Sequence, residues 1–366
     1  MNNTINNTSE ENPKDRSERL LKKWQALQQE RPNLRIRDAS EELNVSELEL
    51  LSLDNSGAEV ISLQPDWPNL IADLEHLGPL MALSRNNFAV HEKTGIYKGL
   101  RGNEQMGLMI EEDIDLRLIF ARWKYGYAVK SNSAPDSLQF FAADGSAIHK
   151  IYSREGTDQT AWKNLVLKYS KATDGPAQIT TPKDIEQQAA LLESSERAAF
   201  LSRWAELTDV HQFFKLLKDF NLTRIQAMEL AQGTWSFSVD VSKVPDFING
   251  LAGTGLPIMV FVANQGIVQI HTGPIERCMQ MEHWFNILDP KFSLHLNTAG
   301  LERAWIVRKP TSDGIVSSLE VYDIDGELVM QLFGARQEGN QERSQWRDQL
   351  RTLQPELPAI VETETA

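Results

Sequence analysis

The segment SLQFFAADGSAIHKIY, residues 137–152, has a counterpart in SLEVYDIDGELVMQLF, residues 318–333. In both segments alternating apolar residues flank an Asp-Gly pair, Asp144-Gly145 in the first and Asp325-Gly326 in the second. Because Asp-Gly readily adopts the backbone geometry of a tight turn, each segment is predicted to form a β-hairpin. A hairpin repeated at this distance predicts that the chain contains two copies of one domain.

Further correspondences extend the repetition over most of the chain. They pair Trp24 with Trp204, Asn44 with Asn221, Gly95 with Gly266 and Trp162 with Trp346. Each half also carries a capping-box pattern that predicts a helix start, at Ser46 and at Thr223. Each half runs from a helical block through a strand-rich stretch to a closing helix, and its glycine turns favour antiparallel pairing. We therefore predict an α+β fold with two tandem repeats, each a large antiparallel β-sheet with flanking helices.

Composition along the chain predicts where these repeats begin and end. The first 18 residues are polar and rich in Asn, which is typical of a disordered tail, and residues 170–183 have the Ser, Thr, Gly and Pro content of a linker. The predicted organisation is a tail at 1–18, a first repeat at 19–169, a linker at 170–183, a second repeat at 184–353 and a flexible tail at 354–366.

The overall composition excludes several classes of protein. The 366 residues are 41% hydrophobic, enough for two cores, and the apolar runs fall far short of the ~20 residues of a membrane-spanning helix. The single cysteine, Cys278, cannot form an internal disulfide, which favours a reducing cytoplasm. The net charge of −14 argues against general nucleic-acid binding. We expect a cytoplasmic protein with no membrane insertion and no nucleic-acid partner.

The sequence lacks a phosphate-binding glycine loop, a zinc-ligand pattern and a hydrolase serine elbow, so the chemistry depends on other residues. One histidine stands out, His211 in the stretch TDVHQFF, residues 208–214. We expect Asp209 to cap a helix whose first turn holds His211, where the helix dipole and nearby lysines disfavour the charged imidazolium. A neutral imidazole can bind a metal. The alternative is that His211 is a packed residue beside an apolar helix face.

Residues 37–51 resemble a helix-turn-helix, so a DNA-binding regulator is an alternative from another class. The second of these helices would carry Glu47 and Glu49 toward the phosphates, which is electrostatically unfavourable. The preferred interpretation is a structural pair of helices.

Six blocks of sequence together resemble the cytoplasmic haemin-degrading or haem-trafficking proteins encoded with bacterial haem-uptake systems. The blocks are residues 37–39, 95–102, 115–118, 208–214, 221–224 and 331–336. The resemblance covers roughly residues 18–353, in order, and includes the duplication. It implies that haem, as substrate or cargo, binds in a cleft on the second repeat. It also implies that the haem is either delivered to another protein or opened oxidatively to release iron.

The resemblance assigns roles by position. It makes His211 the proximal ligand of the haem iron, and it makes Arg101, reaching over from the first repeat, the distal-side residue and catalytic candidate. Arg224, Lys309 and Arg336 are expected around the haem edge, where cations suit the two propionates. The residues expected to line the pocket are Phe261, Gln331 and Phe333.

The chain departs from the family at one of these positions. Members of the family usually have a tyrosine before the Gly-x-Arg of residues 334–336, and here that residue is Phe333, so a distal hydroxyl is absent. No flavin or nicotinamide motif is visible, so turnover would need an external electron-donating reductase, and an inner-membrane haem importer is the other candidate partner. The sequence predicts an iron-acquisition protein that binds and degrades haem, with a haem carrier or storage chaperone without turnover as the alternative.

Overall fold

The computed structural model describes residues 12–53, 58–131, 134–172, 177–180, 193–337 and 339–360. Its α-helices are α1 (Pro13–Glu30), α2 (Ile36–Leu43), α3 (Glu47–Ser52), α4 (Trp67–Asp73), α5 (Gln159–Tyr169), α6 (Ser194–Ala205), α7 (Gln212–Asp219), α8 (Arg224–Leu230), α9 (Val244–Leu251) and α10 (Ser344–Leu353). Short 3₁₀ helices lie at residues 74–77, 120–122, 241–243 and 298–300.

The strands of the first repeat are β1 (Glu59–Ser62), β2 (Leu80–Arg85), β3 (Ala89–Gly95), β4 (Arg101–Gly102), β5 (Gly107–Ile110), β6 (Asp115–Leu118), β7 (Tyr125–Lys130), β8 (Ser137–Phe141) and β9 (Ala147–Ser153). Those of the second are β10 (Ser236–Val239), β11 (Ile258–Asn264), β12 (Ile267–Gly273), β13 (Cys278–Met281), β14 (Trp284–Asp289), β15 (Phe292–Asn297), β16 (Arg303–Thr311), β17 (Gly314–Tyr322) and β18 (Leu328–Gly334).

These strands form two nine-stranded antiparallel sheets. The first sheet has the order β1-β7-β8-β9-β2-β3-β15-β14-β13, and the second has the order β10-β16-β17-β18-β11-β12-β6-β5-β4. The predicted α+β fold with two tandem repeats and two large antiparallel sheets is confirmed. The structure adds that the repeats exchange strands, because each sheet takes six strands from one repeat and three from the other.

The exchange follows a two-fold pseudosymmetry. Strand β3 joins β15 with Val90 opposite His295, and β12 joins β6 with Val268 opposite Arg117. Both partners of the first pair map onto the second with one offset, since 268 − 90 and 295 − 117 are both 178. The same offset makes Gly273, at the end of β12, the counterpart of Gly95. The sequence pairing of Gly95 with Gly266 was therefore wrong.

The two hairpins that predicted the fold are present. The first is β8–β9 and the second is β17–β18, and their turn glycines have φ angles of 77° at Gly145 and 79° at Gly326. A side chain at either glycine would be strained by that positive φ, which explains the Asp-Gly pairs. The capping boxes at Ser46 and Thr223 are also present.

Each repeat builds its own core, although its strands lie in both sheets. The first core consists of residues between 63 and 169 together with Ile267, and the second consists of residues between 237 and 357 together with Ala89. A third cluster lies where α6, α7 and α8 cover part of the outer face of the second sheet, with Trp204, Phe213 and Tyr322 fully buried. The rest of that outer face is left for the candidate site.

Several predicted boundaries shift in the structure. Helix α1 begins at Pro13, inside the predicted tail of residues 1–18, and residues 1–11 lie outside the described part. The predicted tail from residue 354 starts as packed structure, because Leu357 is buried in the second core and the Pro358 carbonyl accepts a hydrogen bond from Arg308. Within the predicted linker, residues 173–176 and 181–183 lie outside the described part, and Ser170 pairs with Leu63.

The pair of helices considered for DNA binding is structural. Helix α3 is only six residues long, and Glu47, Leu48, Leu50 and Leu51 are all buried, so it has no face that could enter a DNA groove. None of the helices in the described part of the chain is long and apolar enough to cross a bilayer.

Candidate functional site

The candidate site is built on one face of the second sheet. Residues opposite each other in an antiparallel pair, and residues two apart on a strand, point to the same side. Glu320 is opposite Gln331, and Gln331 is opposite Phe261, so all three share this outer face. Applied across the sheet, the rule places these residues on it: Lys309 on β16, Glu320 on β17, Gln331 and Phe333 on β18, Phe261 on β11, Arg117 on β6, Leu108 on β5 and Arg101 on β4.

Strand exchange explains how Arg101 comes to lie on this face. It begins β4, the edge strand of the second sheet, and its side chain is exposed. Strand β4 stands four strands from β11, or about 19 Å from Phe261 at the usual spacing in a flat sheet. Arg101 thus shares the face with Phe261, but lies at its far edge.

His211 stands at the other end of the face, at the start of α7. It is the N-cap residue of that helix, whereas the sequence predicted that it lies in the first turn with Asp209 as the cap. Its side chain is 85% exposed. The Asp209 carboxylate accepts a hydrogen bond from the His211 backbone N–H at 2.7 Å, and the same Oδ1 lies 2.7 Å from the ring Nδ1. These hydrogen bonds, with the backbone one largest, lower the pKa of Asp209.

The loop that carries His211 is held on both sides. The Thr208 backbone N–H donates to the Gln212 amide oxygen at 3.0 Å, and the Gln212 amide nitrogen donates back to the Thr208 hydroxyl at 3.1 Å. The Thr208 carbonyl accepts from the backbone N–H of Ser312, between β16 and β17, at 2.9 Å. The exposed imidazole is therefore presented by an ordered turn fixed to the sheet.

Beneath α7 and α8, a buried carboxylate organises three of the predicted site residues. Glu320 is fully buried and accepts two hydrogen bonds from Arg224, at 2.7 and 2.8 Å. It also accepts from Lys309 at 2.9 Å and from the Gln331 amide at 2.8 Å. The Tyr322 hydroxyl donates to it as well. The sequence analysis missed Glu320, although its place as the one charged residue of β17 was a signal of a buried charge.

Burial and pairing together set the ionisation of this cluster. Burial opposes the charge of Glu320, but Arg224 and Lys309 hold its pKa well below the usual range. Burial lowers the pKa of Lys309 to about 8 despite the attraction of Glu320. Burial also opposes the charge of Arg224, but Glu320 raises its pKa above the usual value. The cluster holds two cations against one carboxylate.

This pairing bears on the roles predicted for two of the cations. Lys309 is 3% exposed and its ammonium lies 4.7 Å from the centre of the Phe213 ring, so α7 covers it. Arg224 likewise lies over the Phe213 ring, at 5.3 Å. Any ligand carboxylate that reaches Lys309 or Arg224 has to share them with Glu320.

The middle of the face is apolar. Phe261 and Phe333 make an edge-to-face contact with ring centres 5.1 Å apart, and both are half-buried. Farther toward β4 the face carries the exposed side chains of Leu108 and Ile110. Aromatic and aliphatic side chains on a flat face fit a flat apolar ligand.

Arg336 follows β18 and stands close to the His211 loop. Its guanidinium donates to Asp313 at 3.2 Å and to the Asn340 carbonyl at 3.3 Å, and its charge helps to lower the pKa of Asp209. Arg336 and Arg224 are both half-buried, whereas Lys309 is enclosed. Arg336 is therefore better placed than Lys309 to meet a ligand carboxylate.

Among the other histidines, His149 has hydrogen-bond partners within the core. His149 is buried between the Ser84 hydroxyl, at 2.9 Å from Nδ1, and the Tyr97 hydroxyl, at 2.8 Å from Nε2. Burial lowers the pKa of His149 to about 3. Over the described ranges, no three His, Cys, Asp or Glu side chains are grouped as a metal site would require.

The first repeat has a related cluster with the charges reversed. There Glu47, at the start of α3, pairs with Lys150 of β9, and both are buried. The capping boxes at Ser46 and Thr223 are 177 residues apart, which makes Glu47 the counterpart of Arg224. The hairpin glycines Gly145 and Gly326 are 181 residues apart, which makes Lys150 the counterpart of Gln331. Both repeats thus have an ion pair between a helix and the sheet, and the helix residue is an anion in the first repeat and a cation in the second.

Comparison with known proteins identifies the family. The model for the haemin-degrading HemS/ChuX domain matches residues 44–169 and 221–353, one match in each repeat. The chain is 36% identical over 341 residues to the hemin transport protein HmuS of Yersinia pestis, covering 91% of this chain and 97% of that protein.

Two solved structures extend the similarity to the fold. The apo form of PhuS, a heme-binding protein from Pseudomonas aeruginosa, superposes with a TM-score of 0.87 at 42% identity, covering 92% of this chain and 99% of PhuS. ChuS, an Escherichia coli heme oxygenase, superposes with a TM-score of 0.81 at 35% identity, covering 92% of this chain and 99% of ChuS. By the match of both repeats and by these relatives, the chain belongs to the HemS/ChuX family of haemin-degrading domains.

Proposed function

We propose that this protein binds haem on the outer face of the second sheet, with His211 as the axial ligand of the iron. The observation that carries the proposal is the pairing of an exposed, fixed imidazole with an apolar sheet face. Phe261 and Phe333 supply a surface for the ring, and Arg336 supplies a cation for a propionate. The haem-binding relatives named above share this fold.

We further propose that the protein degrades this haem in the cytoplasm to release iron. Arg101 lies on the same sheet face as Phe261 and is exposed, so its guanidinium is the catalytic candidate for donating a hydrogen bond to oxygen at the iron. Ring opening also requires electrons, which an external reductase would supply, and an inner-membrane importer would supply the haem. The Escherichia coli relative described as a heme oxygenase supports this choice.

The second candidate function is haem carriage without turnover. Two observations favour it: Phe333 offers no hydroxyl on the face, and Arg101 lies four strands from Phe261. The relative named as a hemin transport protein supports the carrier. Under this proposal the same face and the same His211 hold the haem until an acceptor removes it.

An aerobic spectrum of the haem complex with a reductant distinguishes the two functions. Degradation predicts loss of the Soret band, a bilin-like product and released iron, whereas carriage predicts a stable band that moves to an acceptor protein. His211→Ala should change the ferric spectrum and weaken binding. His283→Ala is the matched control, because His283 is exposed on the β13–β14 turn, and its carbonyl accepts from Thr298. Equal behaviour of the two variants would remove His211 as the ligand.

A further inference from the structure

We propose that Asp209 is the positioning residue of the haem site, fixing the imidazole of His211 so that Nε2 faces the iron. The inference rests on the proposed function, since it takes His211 as the axial ligand. It goes beyond that function by naming the carboxylate that holds the ligand.

The first argument is the geometry of the contact. A single oxygen of Asp209 lies 2.7 Å from both the backbone nitrogen and the ring Nδ1 of His211. The backbone contact fixes the carboxylate in the turn, and the ring contact then fixes the imidazole. A surface histidine without such a partner would rotate freely, and here 85% of the side chain is exposed.

The second argument is the proton on the ring. An ionised carboxylate only accepts hydrogen bonds, so the Nδ1 beside Asp209 must carry the proton. In the neutral ring the remaining nitrogen, Nε2, then holds the lone pair that can bind a metal. Carboxylates that accept from a metal-binding histidine in this way orient the ring and raise its basicity.

The third argument is that the turn persists without Asp209. The reciprocal Thr208–Gln212 hydrogen bonds and the contact of the Thr208 carbonyl with Ser312 do not involve it. Phe213 and Leu216 anchor α7 in the third cluster. Replacing Asp209 should therefore free the imidazole without unfolding the helix.

The test compares Asp209→Ala, Asp209→Asn and the control Asp219→Asn, using haem as the ligand. Asp219 ends the same helix, and its replacement by asparagine removes one negative charge, as at Asp209. Its carboxylate pairs with Arg203 and Lys215 rather than with His211. The readouts are haem affinity, the iron–histidine stretching band of the ferrous complex and the reduction potential. A urea midpoint for each variant checks that it is folded.

Asp209→Ala should lose about 10–100-fold in haem affinity and lower the stretching frequency. Asp209→Asn should lose less affinity than Asp209→Ala, since its amide oxygen still accepts both hydrogen bonds. It should raise the reduction potential, because removal of the negative charge weakens the binding of ferric haem more than that of ferrous haem. If ferric haem loses tenfold more affinity than ferrous haem, the rise is about 59 mV. Asp219→Asn should change none of the three.

Two results would overturn the inference, and they are distinguishable. If Asp209→Ala behaves as Asp219→Asn while His211→Ala abolishes the stretching band, Asp209 does not position the ligand and the proposed function stands. If His211→Ala retains the band, the ligand assignment itself is wrong and the inference fails with it.

Discussion

Replacing Glu320 by glutamine tests whether the buried cluster serves the fold or the ligand. The substitution preserves the shape of the side chain but leaves Arg224 and Lys309 buried without their counter-ion. Removing one partner of a buried ion pair costs about 3–5 kcal/mol. This is a large part of the ~5–15 kcal/mol by which proteins are stable. With a urea m-value of about 3 kcal/mol/M, the unfolding midpoint should fall by about 1 M or more.

The control for this measurement is Glu59→Gln. Glu59 pairs with Lys130 at 3.4 Å, and both side chains are about 60% exposed. Exposed pairs contribute about 0–1 kcal/mol, so the control should barely move the midpoint. If the urea midpoint of Glu320→Gln falls no further than that of Glu59→Gln, the idea that the buried carboxylate compensates the two cations is refuted.

Haem affinity gives the same variant a second and opposite readout. If Glu320 competes with the propionates for Arg224 and Lys309, its removal should tighten the binding of haem even as it destabilises the fold. One cation freed for one propionate contributes about 1.5 kcal/mol, or roughly tenfold in Kd. Haem with esterified propionates should not gain. Equal changes for both ligands would show that these cations act on the fold alone.

Three further outcomes are expected. Replacing Lys309 and Arg336 together with alanine should weaken the binding of haem more than that of its propionate ester, as measured by titration with both, and equal losses would contradict a propionate role. Burial lowers the pKa of His149 and of His271 to about 3. As the pH falls below 6.5, these two imidazoles therefore bind protons in the unfolded chain but stay neutral in the native state. Stability should then drop by about 2 kcal/mol per histidine at pH 5, and a urea midpoint unchanged from pH 6.5 to 5 would contradict this. The second half alone, residues 193–366, should pair its unpartnered β12 and β15 edges with those of another copy and run as a dimer in sizing chromatography, whereas a well-folded monomer would contradict the importance of the exchanged strands.

The local features of the fold were predictable from the sequence, and the exchange of strands was not. The Asp-Gly turns at residues 145 and 326 and the capping boxes at Ser46 and Thr223 are decided by neighbouring residues, and all four are present. The pairing of β12 with β6 depends on partners about 150 residues apart, such as Val268 and Arg117. Alternating apolar residues define which face of a strand is buried, but they do not specify which strand lies beside it.

For the site, the sequence indicates which residues are candidates, but it does not show which side chains they contact. His211 and Phe333 were found from a motif, and the structure places both on or beside one sheet face. Glu320 was missed because a strand pattern shows only that a charge is present, and its buried partners come from α8, β16 and β18. The sequence predicts Asp209 as a helix cap, whereas the structure shows that its carboxylate contacts the imidazole of His211.

The pseudosymmetry also explains why two similar repeats should present one iron site. Asn44 and Asn221 each follow a helix and have φ angles near 50°, so they are equivalent residues of the two repeats. They are 177 residues apart, and the same offset makes Leu34 the counterpart of His211. On the sheets, Arg101 pairs with Leu108, and Met279 pairs with Asn286. Both residues of the first pair map onto the second with the offset of 178, so Met279 is the counterpart of Arg101. The first repeat therefore has a leucine and the exchanged strand β13 a methionine at the positions equivalent to His211 and Arg101, although the scaffold is the same. Because a leucine cannot bind iron and a methionine carries no charge, we expect the full chain to bind one haem, on the face of the second sheet, in a titration with haem.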